Sequence, residues 1–345
     1  MILVCILSKA CDAFTKQRRI PDEDLYDKGN LYHSVEYAQY DYLQRGQYEK
    51  AQEMLSRIDS IISKIEGKEQ RKLIWIQQRM TARQKLESLG VGSDSKLSLN
   101  RSGTLLSEDE YPISDGEMNY AAISEVGLLL LRLLQGIKEA NNPLVASALK
   151  QSEKLINILE PRKSTQEYVK YMVPMMQQLM IGVRDFVEVS EMLLLQAKNV
   201  GCKGRCQDPF KKATVIQMKR MIQSSATPTL LYMPSYEIYG YVLLVTKEYK
   251  KAKDEFEASL EEKMGRTLSL LGLARAHSLL GNTKQATFFY QYLRSQLQQA
   301  DEGNLAVKEA ENWASSSKSK IEAEKLRDNW FWPNYLPVPL IGGTA

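Results

Sequence analysis

The same arrangement of small and aromatic residues occurs twice in the C-terminal third of the chain. The matching pairs are each 34 residues apart and are Gly240 and Ala274, Leu243 and His277, Ala252 and Ala286, and Phe256 and Tyr290. A period of this length is produced by a unit of two helices joined by a turn. Each unit of such an array buries its apolar face against the next unit. The repeat therefore restricts this part of the chain to stacked helix pairs.

Helical spacing of apolar residues extends over nearly all of the chain from Leu31 onward, and the alternation typical of strands is scarce. Capping-box patterns at 114–117 and 164–167, and Pro143 directly after Asn142, mark helix starts. The predicted helices are 31–45, 48–64, 68–89, 117–140, 143–159, 165–198, 211–223, 234–246, 249–262, 267–280, 283–299 and 303–328. These patterns predict an all-α fold.

The same patterns divide the chain into segments of different character. Residues 90–116 are rich in Ser, Gly and Asp, which predicts a flexible surface loop, and residues 329–345 form a tail of aromatic residues and prolines. The remaining segments are a partly disordered N-terminal segment at 1–30, helical repeats at 31–89, degenerate helical hairpins at 117–227, two repeat units at 228–300 and a capping helix at 301–328.

The stretch from Met233 to Gln299 resembles tetratricopeptide (TPR) repeats of the kind found in bacterial TPR proteins. The hallmark packing positions are occupied by Gly240, Tyr249, Ala252, Phe256, Gly281, Ala286 and Tyr290. A third unit near the N-terminus is similar and has Tyr42, Gly46, Tyr48 and Ala51 at the same positions. Lys247 departs from the pattern, because a glycine is usual in this turn. The resemblance implies a helical-hairpin solenoid with degenerate middle repeats.

The resemblance also implies a concave face, lined by the first helix of each unit, that holds an extended peptide or a partner helix. The positions on this face are His33, Glu36, Tyr40, Leu43, Glu237, Tyr241, Leu244, Leu271, Arg275 and Ser278. Related repeats that clamp the C-terminal carboxylate of chaperones use Lys, Asn and Arg, and the corresponding residues here are Glu237, Tyr241, Leu268 and Gly272. The expected occupant is therefore a more apolar ligand or an internal helix.

The motifs of several enzyme classes are absent from the sequence. It has no Gly-rich phosphate loop, zinc-protease helix or nucleophile elbow. With only His33 and His277 as histidines, acid–base chemistry would fall on carboxylates. We therefore predict a non-catalytic protein-binding module or scaffold without a cofactor. The alternative is a helical-array enzyme whose carboxylates converge only in space.

The four cysteines are too few for a disulfide framework. Cys202 and Cys206 form one closely spaced pair, but a tetrahedral zinc site needs two further ligands, which the sequence does not place nearby. We expect no bound metal. The sequence leaves open whether this pair forms a disulfide.

Charge and hydropathy give little indication of a nucleic-acid or membrane partner. The net charge of +4 arises from 46 basic and 42 acidic residues, which is not the strongly basic balance of a nucleic-acid-binding protein. No segment reaches the roughly 20 apolar residues that a membrane-spanning helix needs. The N-terminus lacks the charged start of a secretory signal, so a cytoplasmic location is expected.

The tail at 329–345 combines four aromatic residues with three prolines. If all four aromatic side chains were exposed, they would form an adhesive apolar patch. A proline-rich chain is already extended and gives up little entropy when it docks. Because the tail is tethered, its effective concentration near its own surface is high. We expect it to fold back onto the protein, with the concave groove as one destination; the alternative is docking on a partner.

Overall fold

The computed structural model describes residues 30–90, 234–245, 247–263 and 265–316, together with isolated positions between 129 and 211. The regular secondary structure of these residues is α-helical, so the prediction of an all-α chain is confirmed for them. The helices are α1 (Asn30–Gln44), α2 (Tyr48–Ile62), α3 (Gly67–Gly90), α4 (Ser235–Val245), α5 (Tyr249–Glu262), α6 (Thr267–Leu279), α7 (Thr283–Gln296) and α8 (Leu305–Ser316).

Several predictions fall on residues that the structure does not describe. Apart from a few isolated positions, these are the N-terminal segment, the helices expected between 117 and 223, the cysteine pair and the tail. The loop expected at 90–116 also lies there, except for Gly90, which belongs to α3. None of the described helices is long and apolar enough to cross a membrane.

The helix ends agree with the sequence to within a few residues, except for the end predicted at 328, because residues 317–328 lie outside the described part of the chain. Local hydrogen bonds explain two of the differences. α7 was expected to reach 299, but Ala300 N–H donates to the Leu297 carbonyl at 3.0 Å, which tightens the chain into a turn. α8 begins at Leu305 because the Asn304 side chain accepts hydrogen bonds from Ala306 N–H and Val307 N–H. Asn304 thereby acts as the N-cap of α8.

Three short connections share one backbone geometry: those from α1 to α2, from α4 to α5 and from α6 to α7. Each contains one residue in the left-handed region, namely Gly46 (φ 69°), Lys247 (φ 63°) and Gly281 (φ 78°). The N–H of the following residue donates to the carbonyl five residues earlier, at 2.8 to 2.9 Å. This is the hydrogen bond of a Schellman helix end. The three segments aligned by sequence therefore form the same turn.

The second helix of each pair starts in the same way. The N–H groups of Ala51, Ala252 and Ala286 donate to the carbonyl of the residue that precedes the helix, each at 3.0 Å. All three alanines have no exposed surface. Since a larger side chain at such a position overpacks the contact, the structure accounts for a small residue at each of them.

Phe256 shows why glycine occurs on the helices that it contacts. Its ring is fully buried and packs edge-on against Tyr241, with the ring centroids 5.0 Å apart. A Cβ atom added to Gly272 of α6 would lie 2.3 Å from this ring, and one added to Gly240 of α4 would lie 2.8 Å from it. The two glycines therefore let one aromatic side chain of α5 fill the space between α4 and α6.

Helices that are consecutive in sequence pack against each other in two blocks. The N-terminal block (30–90) contains α1 to α3, and the C-terminal block (234–316) contains α4 to α8. Helices two positions apart in the chain also contact each other, since α1 packs on α3 and α4 packs on α6. The core of the N-terminal block is aliphatic and includes Leu55, Ile58, Leu73, Ile76 and Met80. Each block thus has its own apolar contacts.

Replacing Lys247 by glycine is expected to raise the free energy of unfolding by about 1 kcal/mol, because the left-handed conformation costs a non-glycine residue roughly 1–2 kcal/mol. The Lys247 side chain is exposed, so little packing is lost. The matched control is Gly281→Lys, where an added Cβ meets no atom within 4 Å and the cost is conformational. Urea unfolding measures both. Equal stability of wild type and both variants would contradict the shared turn.

Candidate functional site

The structure buries most of the side chains expected to line the concave face. The buried ones are Glu36, Leu43, Glu237, Tyr241, Leu244, Leu271, Arg275 and Ser278. Tyr40 is partly buried, and the His33 side chain is not among those described. Ligand binding by these positions stays a prediction. Their observed contacts are with other helices of the chain.

Glu36 of α1 forms a buried ion pair with α3. Its two carboxylate oxygens accept hydrogen bonds from Arg79 Nη2 at 2.5 Å and from Arg83 Nη2 at 3.0 Å. Burial acts to raise the pKa of Glu36, but the two guanidinium groups outweigh it and hold this pKa below its usual value. The pairing therefore keeps a charged carboxylate inside the N-terminal block.

Glu237 of α4 forms the corresponding pair with the start of α6. Arg266 donates from Nε at 2.8 Å and from Nη2 at 2.6 Å, one hydrogen bond to each carboxylate oxygen. The Ser269 hydroxyl donates to the same carboxylate. Neither charged side chain is exposed to solvent. A two-point contact of this kind fixes the relative orientation of the guanidinium and the carboxylate as well as the distance between them.

Arg275 of α6 pairs with Glu309 of α8 through hydrogen bonds of 2.9 and 2.6 Å. The Tyr290 hydroxyl of α7 donates to the same carboxylate at 2.8 Å. Burial, together with the nearby negative charge of Glu309, raises the pKa of Tyr290 well above its usual value, so the hydroxyl stays protonated. The pair connects three successive helices of the C-terminal block.

In each of these three pairs, a charged side chain of one helix meets the opposite charge on, or directly before, the helix two positions later in the chain: α1 with α3, α4 with α6, and α6 with α8. The sequence predicts Glu36, Glu237 and Arg275 as ligand contacts and does not predict their charged partners. One signal was present in the sequence, since Arg275 and Glu309 have opposite charge and are separated by one repeat period of 34 residues. The arrangement links alternate helices of each block through buried charges.

Arg266 also joins the two blocks. Its Nη2 donates to Glu87 of α3 at 2.8 Å, in addition to the bond with Glu237. Its Nη1 donates to the Tyr40 hydroxyl of α1 at 3.5 Å. Glu87 and Arg266 are separated by 179 residues in sequence. One guanidinium therefore connects α1 and α3 of the N-terminal block with α4 and α6 of the C-terminal block.

The end of α1 contributes polar contacts next to Arg266. The Gln44 side-chain oxygen accepts from Thr267 N–H at 2.9 Å, and the Gln44 backbone carbonyl accepts from the Thr267 hydroxyl at 2.5 Å. The same carbonyl accepts from Gln296 Nε2 of α7 at 2.8 Å. These bonds satisfy polar groups at the end of α1 that the helix itself leaves without partners. We call this cluster around Arg266 and Gln44 the junction.

Gly46 allows the backbones of the two blocks to meet. Its carbonyl accepts from Asp301 N–H at 3.0 Å, and the Asp301 side chain accepts from Glu49 N–H at 3.0 Å. A Cβ atom on Gly46 would lie 2.6 Å from Asn304 Nδ2 and 2.8 Å from the Cβ of Ala300. A glycine is therefore needed here for two reasons, its left-handed backbone and the close approach of the C-terminal block.

The junction contains two carboxylates for one guanidinium, and this imbalance affects the pKa of Glu87. Burial raises the pKa of Glu87; Arg266 lowers it, and the charge of Glu237 raises it further, with a net result above the usual value. The Arg266 and Glu87 side chains are only 0% and 2% exposed. The arrangement holds helices together but offers no access to a substrate. Among the described residues, no three or more His, Cys, Asp and Glu side chains are grouped to hold a metal ion.

Glu87→Gln should flatten the pH dependence of stability. A carboxyl whose pKa is raised by folding opposes folding when it is ionised. The free energy of unfolding therefore increases as the pH falls from this raised pKa toward the pKa of about 4.3 that the group has in the unfolded chain. Wild type should therefore gain stability relative to Glu87→Gln as pH falls from 7 to about 5. Urea unfolding at several pH values measures this. A constant difference between the two proteins would contradict it.

Glu237→Gln is the matched control for this substitution. It removes one charge from the same cluster but breaks the two-point pair with Arg266. Removal of one partner from a buried pair costs about 3–5 kcal/mol, so this variant should be strongly destabilised at neutral pH. If both variants were equally stable, the distinct roles of the two carboxylates would be wrong.

Comparisons of the chain with protein-family models, with curated proteins and with solved structures found no match. A function must therefore be inferred from the residues themselves. Three features of the described residues bear on it: the turn that occurs three times, the buried pairs that link alternate helices, and the junction that brings the two blocks together.

Proposed function

We propose that the protein is a non-catalytic TPR-type interaction module that binds a protein or peptide partner. The observation that carries the proposal is the turn shared by three helix pairs, with a left-handed residue at 46, 247 and 281 and a buried alanine five residues later. Recurrence of one helix-pair unit is the basis of repeat proteins, whose stacked units present extended surfaces to partners. The repeat architecture supports a binding role.

The charged clusters of the described residues also favour binding over catalysis. Carboxylates do converge in space at Glu87 and Glu237, as the enzyme alternative requires, but both are paired with Arg266 and their side chains are at most 2% exposed. A general acid or base must come within hydrogen-bonding distance of its substrate. These carboxylates are better suited to fixing the helices than to acting on a ligand.

The buried pairs suggest how such a module keeps its shape. Each pair ties one helix to the helix two positions later in the chain, from α1 to α3, from α4 to α6 and from α6 to α8. Neighbouring helices of the chain therefore take the contacts expected of a ligand at Glu36, Glu237 and Arg275. In this proposal, those residues set the spacing of the helices that a partner recognises, and they do not touch the partner.

The proposal is tested by isolating the full chain from its native cells at its natural level and reconstituting the captured complex from purified components. We expect a complex of fixed stoichiometry that survives Glu87→Gln, because this substitution leaves the Arg266–Glu237 pair in place. The enzyme alternative predicts turnover of a small molecule that Glu87→Gln abolishes. Such turnover, without any complex of fixed stoichiometry, would overturn the proposal.

A further inference from the structure

The outward side of α7 carries aromatic side chains that face solvent. Phe288 is 60% exposed and Tyr292, one helical turn later, is 37% exposed. Phe289 lies beside them, edge-on to Phe288 with the ring centroids 5.2 Å apart, and its other neighbour is the His277 ring, stacked at 5.4 Å. We call Phe288, Phe289 and Tyr292 the α7 aromatic surface. These grouped rings offer an apolar surface on which another segment or protein can dock.

The described chain ends close to this surface. Trp313 of α8 stacks on Tyr290 of α7, with the ring centroids 5.2 Å apart, and its Nε1 donates to the Thr287 hydroxyl at 3.0 Å. Thr287 directly precedes Phe288, and α8 ends at Ser316, three residues after Trp313. Whatever follows Ser316 therefore starts within a short distance of the α7 aromatic surface.

The chain that follows α8 is long enough to bring the tail to this surface. Residues 317–328 separate α8 from the tail at 329–345. A stretch of this length spans roughly 40 Å when extended and roughly 18 Å when helical. The 14-residue helix α7 is itself only about 21 Å long. The tether is long enough in both extremes.

The chemistry of the tail suits an exposed aromatic surface. Aromatic and aliphatic residues make up most of its first thirteen positions, and Pro333, Pro337 and Pro339 lie among them. Proline-rich segments are recognised by surfaces of aromatic side chains, because the chain is already extended and loses little entropy on binding. Its Trp and Tyr rings can also stack edge-on or offset against phenylalanine rings. A tether of this kind raises the local concentration to the order of millimolar.

We propose that residues 329–345 dock on the α7 aromatic surface of the same chain. This places the tail on the outward side of α7 and not in the concave groove, because eight of the ten residues predicted for that groove are buried. In the free protein the tail covers Phe288 and Tyr292. A partner that uses this surface must displace the tail, and this last consequence alone rests on the proposed function.

A photoreactive benzoylphenylalanine placed at Phe288 of the purified full chain tests the docking directly. After irradiation, mass spectrometry should find cross-links within one chain to residues 329–345. The control carries the same probe at Arg57, an exposed position on α2, and should give several-fold fewer cross-links to the tail. Cross-links from position 288 to other segments, or no excess over the control, would overturn the proposal.

A dilution series and a double-mutant cycle separate the remaining alternatives. Intramolecular docking gives a cross-link yield that does not change with protein concentration, whereas a yield that falls on dilution would assign the surface to a second copy and overturn the proposal.

The double-mutant cycle combines Phe288→Ser and Tyr292→Ser with deletion of 329–345. If the two sites contact each other, the shifts in Tm are not additive; additive shifts contradict contact. Both experiments use the purified chain alone, so their failure is distinct from failure of the proposed partner binding.

Discussion

The two-point pair between Arg266 and Glu237, extended to Glu87, is the interaction on which the described structure depends. Taking three charged groups out of water is costly, and only good geometry with further hydrogen bonds offsets this cost. Both conditions are met, because Arg266 donates three short hydrogen bonds to the two carboxylates and Ser269 donates another to Glu237. The guanidinium is satisfied only when both blocks are in place. The cluster thereby selects one arrangement of α1 and α3 against α4 and α6.

Because the two blocks dock, residues that are far apart in sequence lie close together in space. In a linear array each repeat contacts only its neighbours, so the first and last repeats of a long chain would lie far apart. Here Tyr40 and Arg266 are 226 residues apart in sequence and in contact. The cost of closing such a long loop grows only slowly with its length, and the polar contacts at Gln44 and Gly46 help to offset it.

The sequence predicted the features that are determined locally. The helices, the turn at Gly46 and Gly281 and the small residues Ala252 and Ala286 follow from apolar spacing and from the 34-residue period, which short stretches of chain encode. Lys247 breaks the glycine pattern, yet it adopts the same left-handed conformation, because the hydrogen bond from Glu248 N–H to the Leu243 carbonyl fixes the turn around it.

The junction was not predicted, for a physical reason. Charged residues are spread along every helix, so nothing local distinguishes Glu87 or Arg266 from a solvated side chain, and their pairing depends on how two distant blocks dock. The resemblance to TPR repeats placed Glu237 on a concave face that contacts a ligand. In the structure, Glu237 instead pairs with Arg266, which lies 29 residues later and directly precedes α6. Only the spacing of Arg275 and Glu309 carried a readable signal.

The docking of the two blocks is tested most directly by a disulfide between them. Glu49 N–H donates to the Asp301 side chain at 3.0 Å, so these positions are neighbours in the structure although 252 residues separate them in sequence. With the four native cysteines replaced by serine, Glu49→Cys combined with Asp301→Cys should oxidise rapidly to a bond within one chain. The control pair, Glu53→Cys with Asp301→Cys, lies one turn further along α2 and should oxidise much more slowly. Equal rates for the two pairs, or only bonds between chains, would contradict the docked arrangement.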